Sequence, residues 1–386
     1  MPGPPVILFT AFEPSGDALA AGLIRALRRE RPEVVIHALG GPRMAEAGAE
    51  LLESTTDKAV MLASAARQAL VHRARLKRLD AFLRTTPITA LVPTDSPAAN
   101  WSVCKLVRKR APQARIVHLA APQLWAWAEW RIRKLRRLTD HVLCLLPFEP
   151  TWFDARGVPG TFVGHPLVDA HGAHTAEPQR DGDGPPRLAL LPGSRHSEVA
   201  ANAAEMLAAA RQLQDRLPEL VVEIATADAA GERQVRAMLE AGPRWPREPA
   251  VRTGEVDDVL AHAHAALVVS GTATLHAAVY RAPMVVLYRI GYLAWHVIGR
   301  WVVSTRTFSL PNLIAASQGH GRIVPEHVPH FGDVELLLRD LEPLLRDPAR
   351  RQAQRAALDE ALAPFDEVRF EETAPRVLLE VIERRR

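Results

Sequence analysis

The chain has 386 residues, 48% hydrophobic and 24% charged, which favours two globular domains with sizeable cores. No run of about 18 uncharged apolar residues occurs, so a membrane-spanning helix is not expected, nor is a signal peptide at the Pro-rich start. The net charge of +4 is small for this length and accompanies no zinc-finger or RNA-binding signature, so we expect no nucleic-acid partner.

The first half of the chain alternates short apolar runs with helical patterns. A helix is predicted over residues 18–29, where apolar residues recur at helical spacing. Strands that alternate with helices predict a parallel sheet covered by helices on both faces. We assign this first domain to residues 1–170. The predicted strands are residues 6–10, 34–38, 90–92, 115–119, 141–145 and 160–163.

A second domain with the same alternation is predicted over residues 188–365, after a Gly-, Pro- and Asp-rich linker at 171–187. Helices are predicted at 198–213 and 229–241, and the tail from 335 is expected to be wholly helical. We expect its last part, 366–386, to pack back on the first domain. The predicted fold is α/β, two doubly wound Rossmann-like domains facing each other across a cleft. The predicted strands are residues 188–191, 221–225, 251–253, 265–269, 284–288 and, less regularly, 322–324.

Two glycine-containing loops follow buried strands of the second domain. Pro192-Gly193-Ser194-Arg195 precedes a helix, so backbone N–H groups, the helix dipole and the Arg195 guanidinium together suit a phosphate. Ser270-Gly271-Thr272-Ala273 is a small-residue loop that lets a ligand approach the backbone closely. Together the loops indicate a nucleotide diphosphate. The alternatives are a surface arginine at a helix start and an ordinary strand-to-helix turn.

Polar residues also follow strands of the first domain. Glu13, Ser15, Gly16 and Asp17 come just after the first predicted strand, and they either cap the next helix or line a polar substrate. Asp95 follows the strand at 90–92, where a carboxylate at a strand's carboxyl end can act as a general base or simply close a turn.

Two further residues remain ambiguous from spacing alone. His165 ends a predicted strand and either orients a phosphate or hydroxyl or plays a structural part before Pro166. Asn312, in Ser309-Leu310-Pro311-Asn312-Leu313, either bonds a base or phosphate or closes a turn.

The remaining features are the cysteines and a basic, aromatic segment. Cys104 and Cys144 lie in apolar surroundings and are expected to be buried free thiols. Tryptophans at 125, 127 and 130 accompany five basic residues at 131–137, a pattern that suits an anionic lipid surface or a solvated helix face. The Trp-rich stretch at 292–303 is predicted to face a core.

Eight short motifs, in this order over about residues 6–365, resemble those of the lipid-A-disaccharide synthase family. Each is weak alone, but their order over most of the chain is specific. The motifs are Phe12-Glu13-Pro14-Ser15-Gly16-Asp17, Gly41-Pro42-Arg43-Met44, Trp125-Ala126-Trp127, Leu146-Pro147-Phe148-Glu149, Gly164-His165-Pro166, Leu191-Pro192-Gly193-Ser194-Arg195, Ser270-Gly271-Thr272-Ala273 and Ser309-Leu310-Pro311-Asn312-Leu313.

The resemblance implies an inverting glycosyltransferase of the GT-B type that needs no cofactor and no metal on the diphosphate. It would join UDP-2,3-diacylglucosamine to 2,3-diacylglucosamine 1-phosphate and release UDP, at the cytoplasmic face of the inner membrane, with weak peripheral contact to its lipid. It makes Asp95 the catalytic base.

The donor side implied by the resemblance is the two glycine loops with His276 and Asn312. The acceptor side is Glu13, Ser15, Gly16 and Asp17, with His165.

This chain departs from the family pattern at several of these positions. Phe12 and Pro14 replace Gly and Thr, Ala98 replaces an aspartate, and His276 stands where the family carries a ribose-binding Glu. Residues 62–73, usually strongly apolar, are here Ala-rich and partly basic. These departures leave open a paralogue with another UDP-sugar or lipid acceptor, or a non-catalytic UDP-sugar- or lipid-binding protein. The oligomeric state stays open.

Overall fold

The computed structural model describes residues 4–56, 65–94, 97–120, 122–172, 184–290 and 305–384. The chain divides into two compact units. The first unit combines Met1–Asp169 with Glu367–Arg386, and the second is Ala170–Asp366. Each unit is built around its own parallel sheet.

In the described part of the first unit, seven parallel strands form one sheet in the order β3-β2-β1-β4-β5-β6-β7. The central strands are buried, largely apolar runs because helices cover both sheet faces, and this made them recognisable in the sequence. β3 was missed: its Glu-Leu-Leu-Glu-Ser sequence lies half-buried at the sheet edge, where polar residues are tolerated. The strands are β1 (Val6–Thr10), β2 (Val35–Gly40), β3 (Glu50–Ser54), β4 (Ala90–Pro93), β5 (Arg115–Leu119), β6 (His141–Cys144) and β7 (Gly160–Phe162).

Helices of the first unit follow these strands. The first helix begins at Pro14, not near Ala18 as predicted, because Pro is well suited to the first helical position and Glu13 before it is extended. The helices are α1 (Pro14–Glu30), α2 (Pro42–Glu46), α3 (Ala65–Thr85), α4 (Pro97–Arg110), α5 (Ile132–Leu138) and α6 (Glu149–Asp154), with a 3-10 turn at Glu129–Arg131. The next helix, α7 (Pro166–His171), begins in the first unit and ends in the second, which starts at Ala170.

Among the residues described for the second unit, six parallel strands form one sheet in the order β10-β9-β8-β11-β12-β13. The prediction of a strand at 322–324 was wrong. The backbone N–H groups of Ile323 and Val324 donate to the Asn312 side chain rather than to a neighbouring strand, and the edge strand starts at Glu326. The strands are β8 (Arg187–Leu191), β9 (Val221–Thr226), β10 (Ala250–Thr253), β11 (Ala265–Val269), β12 (Met284–Arg289) and β13 (Glu326–His330).

The C-terminal tail is helical in three pieces, not one. Asp347 ends one helix and caps the next through the N–H of Ala349, and Pro348 starts that helix. The final helix returns to the first unit, where Phe370 and Leu378 share a buried cluster with Leu23. The helices are α8 (His196–Arg216), α9 (Ala229–Ala241), α10 (Val256–His262), α11 (Thr272–Val279), α12 (Leu310–Ser317), α13 (Val334–Arg346), α14 (Pro348–Leu362) and α15 (Phe370–Glu383), with a 3-10 turn at Ala363–Phe365.

Candidate functional site

The two glycine loops of the second unit lie side by side. They follow β8 and β11, which are hydrogen-bonded neighbours with Leu191 paired to Val268. This is the point at which the strand order reverses direction, from β10-β9-β8 outward on one side to β11-β12-β13 on the other. Ligands of open α/β sheets bind beyond the carboxyl ends of strands at such a point. The topology therefore gathers both loops at one edge of one sheet.

The loop after β8 is closed by a carboxylate. Gly193 has φ +117, and a Cβ there would lie 2.7 Å from the Cβ of Glu198, so only glycine fits. Glu198 Oε2 accepts the N–H groups of Ser194 (3.2 Å) and Arg195 (3.3 Å), and Oε1 accepts Arg195 Nη1 at 2.7 Å. Arg195 is still 64% exposed. A diphosphate at this turn would share its donors with Glu198, which sequence reasoning did not foresee.

The loop after β11 leaves its helix start open. Gly271 has φ +134, and a Cβ built there would meet no described atom within 4 Å. Thr272 is exposed and Ala273 half-buried at the first turn of α11. Ser270 points its hydroxyl inward and donates to Phe308 O at 2.8 Å. Backbone N–H groups at an open helix start suit an anion, so this loop retains the geometry that its sequence predicted.

Asn312 is occupied within the protein. Its Nδ2 donates to Val324 O (2.9 Å) and Glu326 Oε1 (2.7 Å), and its Oδ1 accepts from Ile323 N (2.8 Å) and Val324 N (3.0 Å). These four bonds use the whole capacity of an amide, and the side chain is 1% exposed. We therefore revise the predicted ligand contact of Asn312: the residue anchors the segment before β13.

His276 belongs to a group that sequence reasoning missed. Its Nε2 lies 2.7 Å from Asp257 Oδ1, and its ring lies 5.3 Å from that of His171. Tyr280, one turn further along the helix, bonds His171 Nδ1 at 2.9 Å. Burial lowers the pKa of His276 although Asp257 opposes this, and burial with Asp257 raises the pKa of Tyr280 to about 12. The shared face of His276 and Tyr280 at i, i+4 was the available signal.

The first unit reverses strand order between β1 and β4. Thr10 pairs with Pro93, and Thr94 N donates to Thr10 O at 2.7 Å. Asp95, the predicted base, is the next residue and lies outside the described residues. Asn100, which sequence reasoning did not single out, is fully buried and bonds both Thr10 Oγ1 (2.6 Å) and Thr94 O (3.1 Å). It therefore orders the chain immediately before Asp95.

Asp17 does not face a ligand. It is 2% exposed, and its carboxylate accepts the N–H groups of Gly41 (2.8 Å), Arg43 (3.1 Å) and Met44 (3.2 Å), which caps α2 rather than its own helix. Its predicted place on the acceptor side is therefore revised to a structural one. Gly16 is buried, whereas Ser15 is exposed and Glu13 half-buried at the start of α1. Those two remain acceptor-side predictions.

The His165 side chain is hydrogen-bonded to the backbone. Its Nδ1 accepts the N–H of Leu167 at 3.1 Å, at the start of α7. Burial lowers the pKa of His165 to about 4, so the ring is neutral near pH 7. Gly164 before it has φ +79, and a Cβ there would lie 2.4 Å from Val368 O. These contacts favour the structural alternative for His165.

Phe12, which replaces the glycine of the family pattern, packs sideways against α3. The guanidinium of Arg75 lies 5.4 Å from its ring centroid, and the His72 ring meets it edge-on at 6.0 Å. Arg75 in turn pairs with Glu53 at 3.0 Å. The bulky side chain is therefore accommodated within the first unit.

The basic, aromatic segment divides into a buried and an exposed part. Trp125 is buried and donates to Glu149 Oε1 at 3.0 Å. Trp127 is 44% and Trp130 62% exposed, and the Arg131 guanidinium lies 4.1 Å from the Trp127 ring centroid. Helix α5 buries two leucines and exposes arginines 133, 136 and 137. The exposed part combines indole rings with positive charge.

Three segments singled out in the sequence lie wholly or partly outside the described residues. These are residues 62–64, residues 173–183 of the linker, and the Trp-rich stretch 292–303. Cys104 and Cys144 are buried free thiols, as predicted. Among the helices that the structure describes, none is long and apolar enough to cross a bilayer.

Comparison with known proteins gives a match over nearly the whole chain. The family model of lipid-A-disaccharide synthetase matches residues 7–374. The chain belongs to this family. Synthases of this name from Idiomarina loihiensis and Rhodospirillum centenum are 35% and 36% identical, covering 89% and 91% of this chain and 92% and 88% of theirs. The Sodalis glossinidius synthase is 35% identical over 99% of both chains.

Membership of the lipid-A-disaccharide synthetase family makes the protein a glycosyltransferase of lipid A biosynthesis. The alternatives of another function find no support in these relatives. Solved structures agree on the fold: a Staphylococcus aureus MnaA–UDP structure has a TM-score of 0.65 at 11% identity over 99% of both chains. Acinetobacter baumannii MurG has 0.58 at 11% over 98% of this chain and all of its own. The predicted α/β class with two parallel doubly wound sheets is confirmed.

Proposed function

We propose that this protein transfers the sugar of UDP-2,3-diacylglucosamine to 2,3-diacylglucosamine 1-phosphate with inversion and releases UDP. The donor side of this proposal is supported by one observation: the two glycine loops are adjacent at the point where the strand order of the second sheet reverses. Family membership supports the lipid substrates. The donor diphosphate lies over Ser194, Arg195 and the loop from Ser270 to Ala273.

The leaving UDP is stabilised by groups that are already in place. The open start of α11 offers backbone N–H groups and the positive end of a helix dipole to a diphosphate. Arg195 is 64% exposed and turns its guanidinium from Glu198 toward the incoming anion, where a charge-assisted bond forms. Donors aimed at developing negative charge lower the barrier without a metal on the diphosphate.

The acceptor hydroxyl is deprotonated by Asp95. Thr94 and Asn100 order the chain just before it, which suits a base that must keep its position through the reaction. The acceptor oxygen then attacks the anomeric carbon from the face opposite UDP. Glu13 and Ser15 lie at the start of α1, just after β1, which pairs with the strand β4 that precedes Asp95. They bind polar groups of the acceptor.

The experiment is UDP release by the purified chain given the donor, with and without the acceptor. Release must depend on the acceptor, and Asp95→Asn must lower turnover by about 10²–10⁴-fold, the range for general-base catalysis. Asp80→Asn is the matched control, because Asp80 forms ion pairs with Arg84 and Arg110 on the surface of the first unit. Turnover by Asp95→Asn equal to that of Asp80→Asn would exclude Asp95 as the base.

The protein works at the inner face of the inner membrane through a peripheral contact. The exposed indoles of Trp127 and Trp130 sit at the headgroup level, and the arginines of α5 add about 1 kcal/mol per charge near an anionic surface. Flotation with anionic liposomes must weaken at high salt and in Trp130→Ala. Flotation unchanged by both would contradict this contact.

A further inference from the structure

Three side chains of the second unit converge from three different helices. His171 is the last residue of α7, Asp257 lies in the first turn of α10, and His276 lies in α11. Asp257 Oδ1 is 2.7 Å from His276 Nε2 and 3.9 Å from His171 Nε2. One ligand atom from each residue lies within 4.8 Å of the other two. Two imidazoles and a carboxylate therefore share one small volume.

The donor set and its spacing suit a transition-metal ion. Two histidines with one carboxylate, leaving a position open, form a donor set of zinc sites and of other first-row metal sites. With metal–ligand bonds of about 2.1 Å, two ligands of a tetrahedral ion stand about 3.4 Å apart. The separations of 2.7 and 3.9 Å bracket this value. A small adjustment of the His171 and His276 rings brings both to metal distance.

Tyr280 supports the same site from behind. Its hydroxyl bonds His171 Nδ1 at 2.9 Å. When the hydroxyl accepts the proton of Nδ1, the lone pair of His171 lies on Nε2, the nitrogen that faces Asp257. Metal-binding histidines are usually oriented in this way by a partner on their other nitrogen. A chance ion pair does not require such an arrangement.

The site is reachable from solvent on one side. The Asp257 side chain is 50% exposed, whereas those of His171 and His276 are 23% and 17% exposed. An ion held from the protein side would therefore keep a position open toward water or a ligand oxygen. His276 lies four residues after Thr272, about 6 Å along the helix from the open start of α11.

We propose that His171, Asp257 and His276 bind one divalent first-row transition-metal ion, zinc fitting the donor set best, with a fourth position open to water or a ligand oxygen. The family resemblance implies no metal on the diphosphate. The proposed ion is instead held by three side chains of the protein. The proposal stands independently of the lipid substrates, because it rests on side chains of the second unit alone.

The test uses the metal-stripped full-length protein titrated with Co²⁺, followed by competition with Zn²⁺. One Co²⁺ per chain with the strong visible absorption of a tetrahedral site is expected. His171→Ala and His276→Ala must each abolish that absorption, and Tyr280→Phe must weaken zinc binding by about 10- to 100-fold, as removal of an outer partner does. Asp257→Asn, which keeps the size of the side chain, provides a second variant at the site.

His262→Ala is the matched control, because His262 forms a similar pair with Asp258 on α10 but lies outside the cluster. It must keep wild-type stoichiometry and absorption. Thermal melts of every variant without metal separate loss of the ion from loss of the fold. Absence of stoichiometric binding by the folded wild type, or equal binding by the folded His171→Ala and His276→Ala variants, would overturn the proposal.

Discussion

Replacing Asn312 by alanine tests whether this residue holds the fold or the nucleotide. The structure gives its side chain four hydrogen bonds, to the backbone of Ile323 and Val324 and to Glu326. Alanine removes all four hydrogen bonds, and water cannot easily replace them because the Asn312 site is 1% exposed. We therefore expect Asn312→Ala to lower the stability of the second unit.

The magnitude follows from what is left unpaired. Two N–H groups lose their acceptor, and each unsatisfied buried donor costs about 1–3 kcal/mol, so the free energy of unfolding should fall by about 2–6 kcal/mol. The Glu326 carboxylate keeps its bonds to Phe308 N and to the N–H and hydroxyl of Ser309, which limits the damage. For a domain of this size about 1 kcal/mol corresponds to about 2–4 °C in Tm.

The assay pairs thermal unfolding with UDP calorimetry, and Arg195→Ala is the matched counterpart. Arg195 is 64% exposed, so its removal should leave Tm nearly unchanged. It should weaken UDP binding by about 10- to 150-fold, the equivalent of a charged hydrogen bond of about 1.5–3 kcal/mol. Asn312→Ala should lower Tm by at least about 4 °C.

The opposite pattern would refute this reasoning. If Asn312→Ala melts with the wild type yet no longer binds UDP, the four internal bonds are not what holds the segment before β13. The original prediction from sequence, that Asn312 contacts the base or phosphate, would then stand. An Arg195→Ala variant with unchanged UDP affinity would remove the loop after β8 from the donor site.

Two further predictions concern buried groups of the first unit. Above about pH 7, where the Glu149 carboxylate is ionised, Glu149→Gln should lower the free energy of unfolding by about 1–3 kcal/mol, because the carboxylate accepts Trp125 Nε1 and two backbone N–H groups and an amide must turn its own donors toward one of them. Burial raises the pKa of Glu149 to about 7 from 4.5, so the stabilising effect of its protonation is complete below about pH 4.5 and is lost as pH rises through 7. Urea titrations should show this fall in the free energy of unfolding with pH in the wild type and not in Glu149→Gln. An equal pH dependence in both proteins would contradict the prediction. Cys104 and Cys144 should resist a thiol reagent at pH 8 until the protein is denatured, because burial raises both pKa values, that of Cys104 to about 12; rapid labelling of the native protein would disprove this.

The central strands and the glycine turns were predictable from sequence because their causes are local. β1, β5 and β11 coincide with the predicted ranges, since a strand covered on both faces is a short, mainly apolar run. Gly193 and Gly271 were recognisable because positive φ at a strand-to-helix turn requires glycine. The order of the family motifs also indicated a glycosyl-transfer reaction.

Two of the edge strands, β3 and β13, were not predictable by the same means. β3 and β13 are half-buried and carry charged residues, and an edge strand needs only one partner and one covered face. Their boundaries follow from neighbours already in place: β3 from β2, and β13 from β12 and from the segment held by Asn312. Local pattern alone gives them no signature.

Sequence by itself determined the two doubly wound units, the two loops suited to a phosphate and the family, because alternating apolar and helical patterns and short motifs are local properties of the chain. Only the tertiary structure decided what individual polar side chains do. Asp17 caps a helix more than twenty residues away, and the side chains of Asn312 and Glu198 form hydrogen bonds within the protein. His171 meets Asp257 and His276 only after three helices pack. A hydrogen-bonding group is satisfied by whichever partner folding brings near, and for Asp17 and Asn312 those partners lie more than ten residues away in sequence.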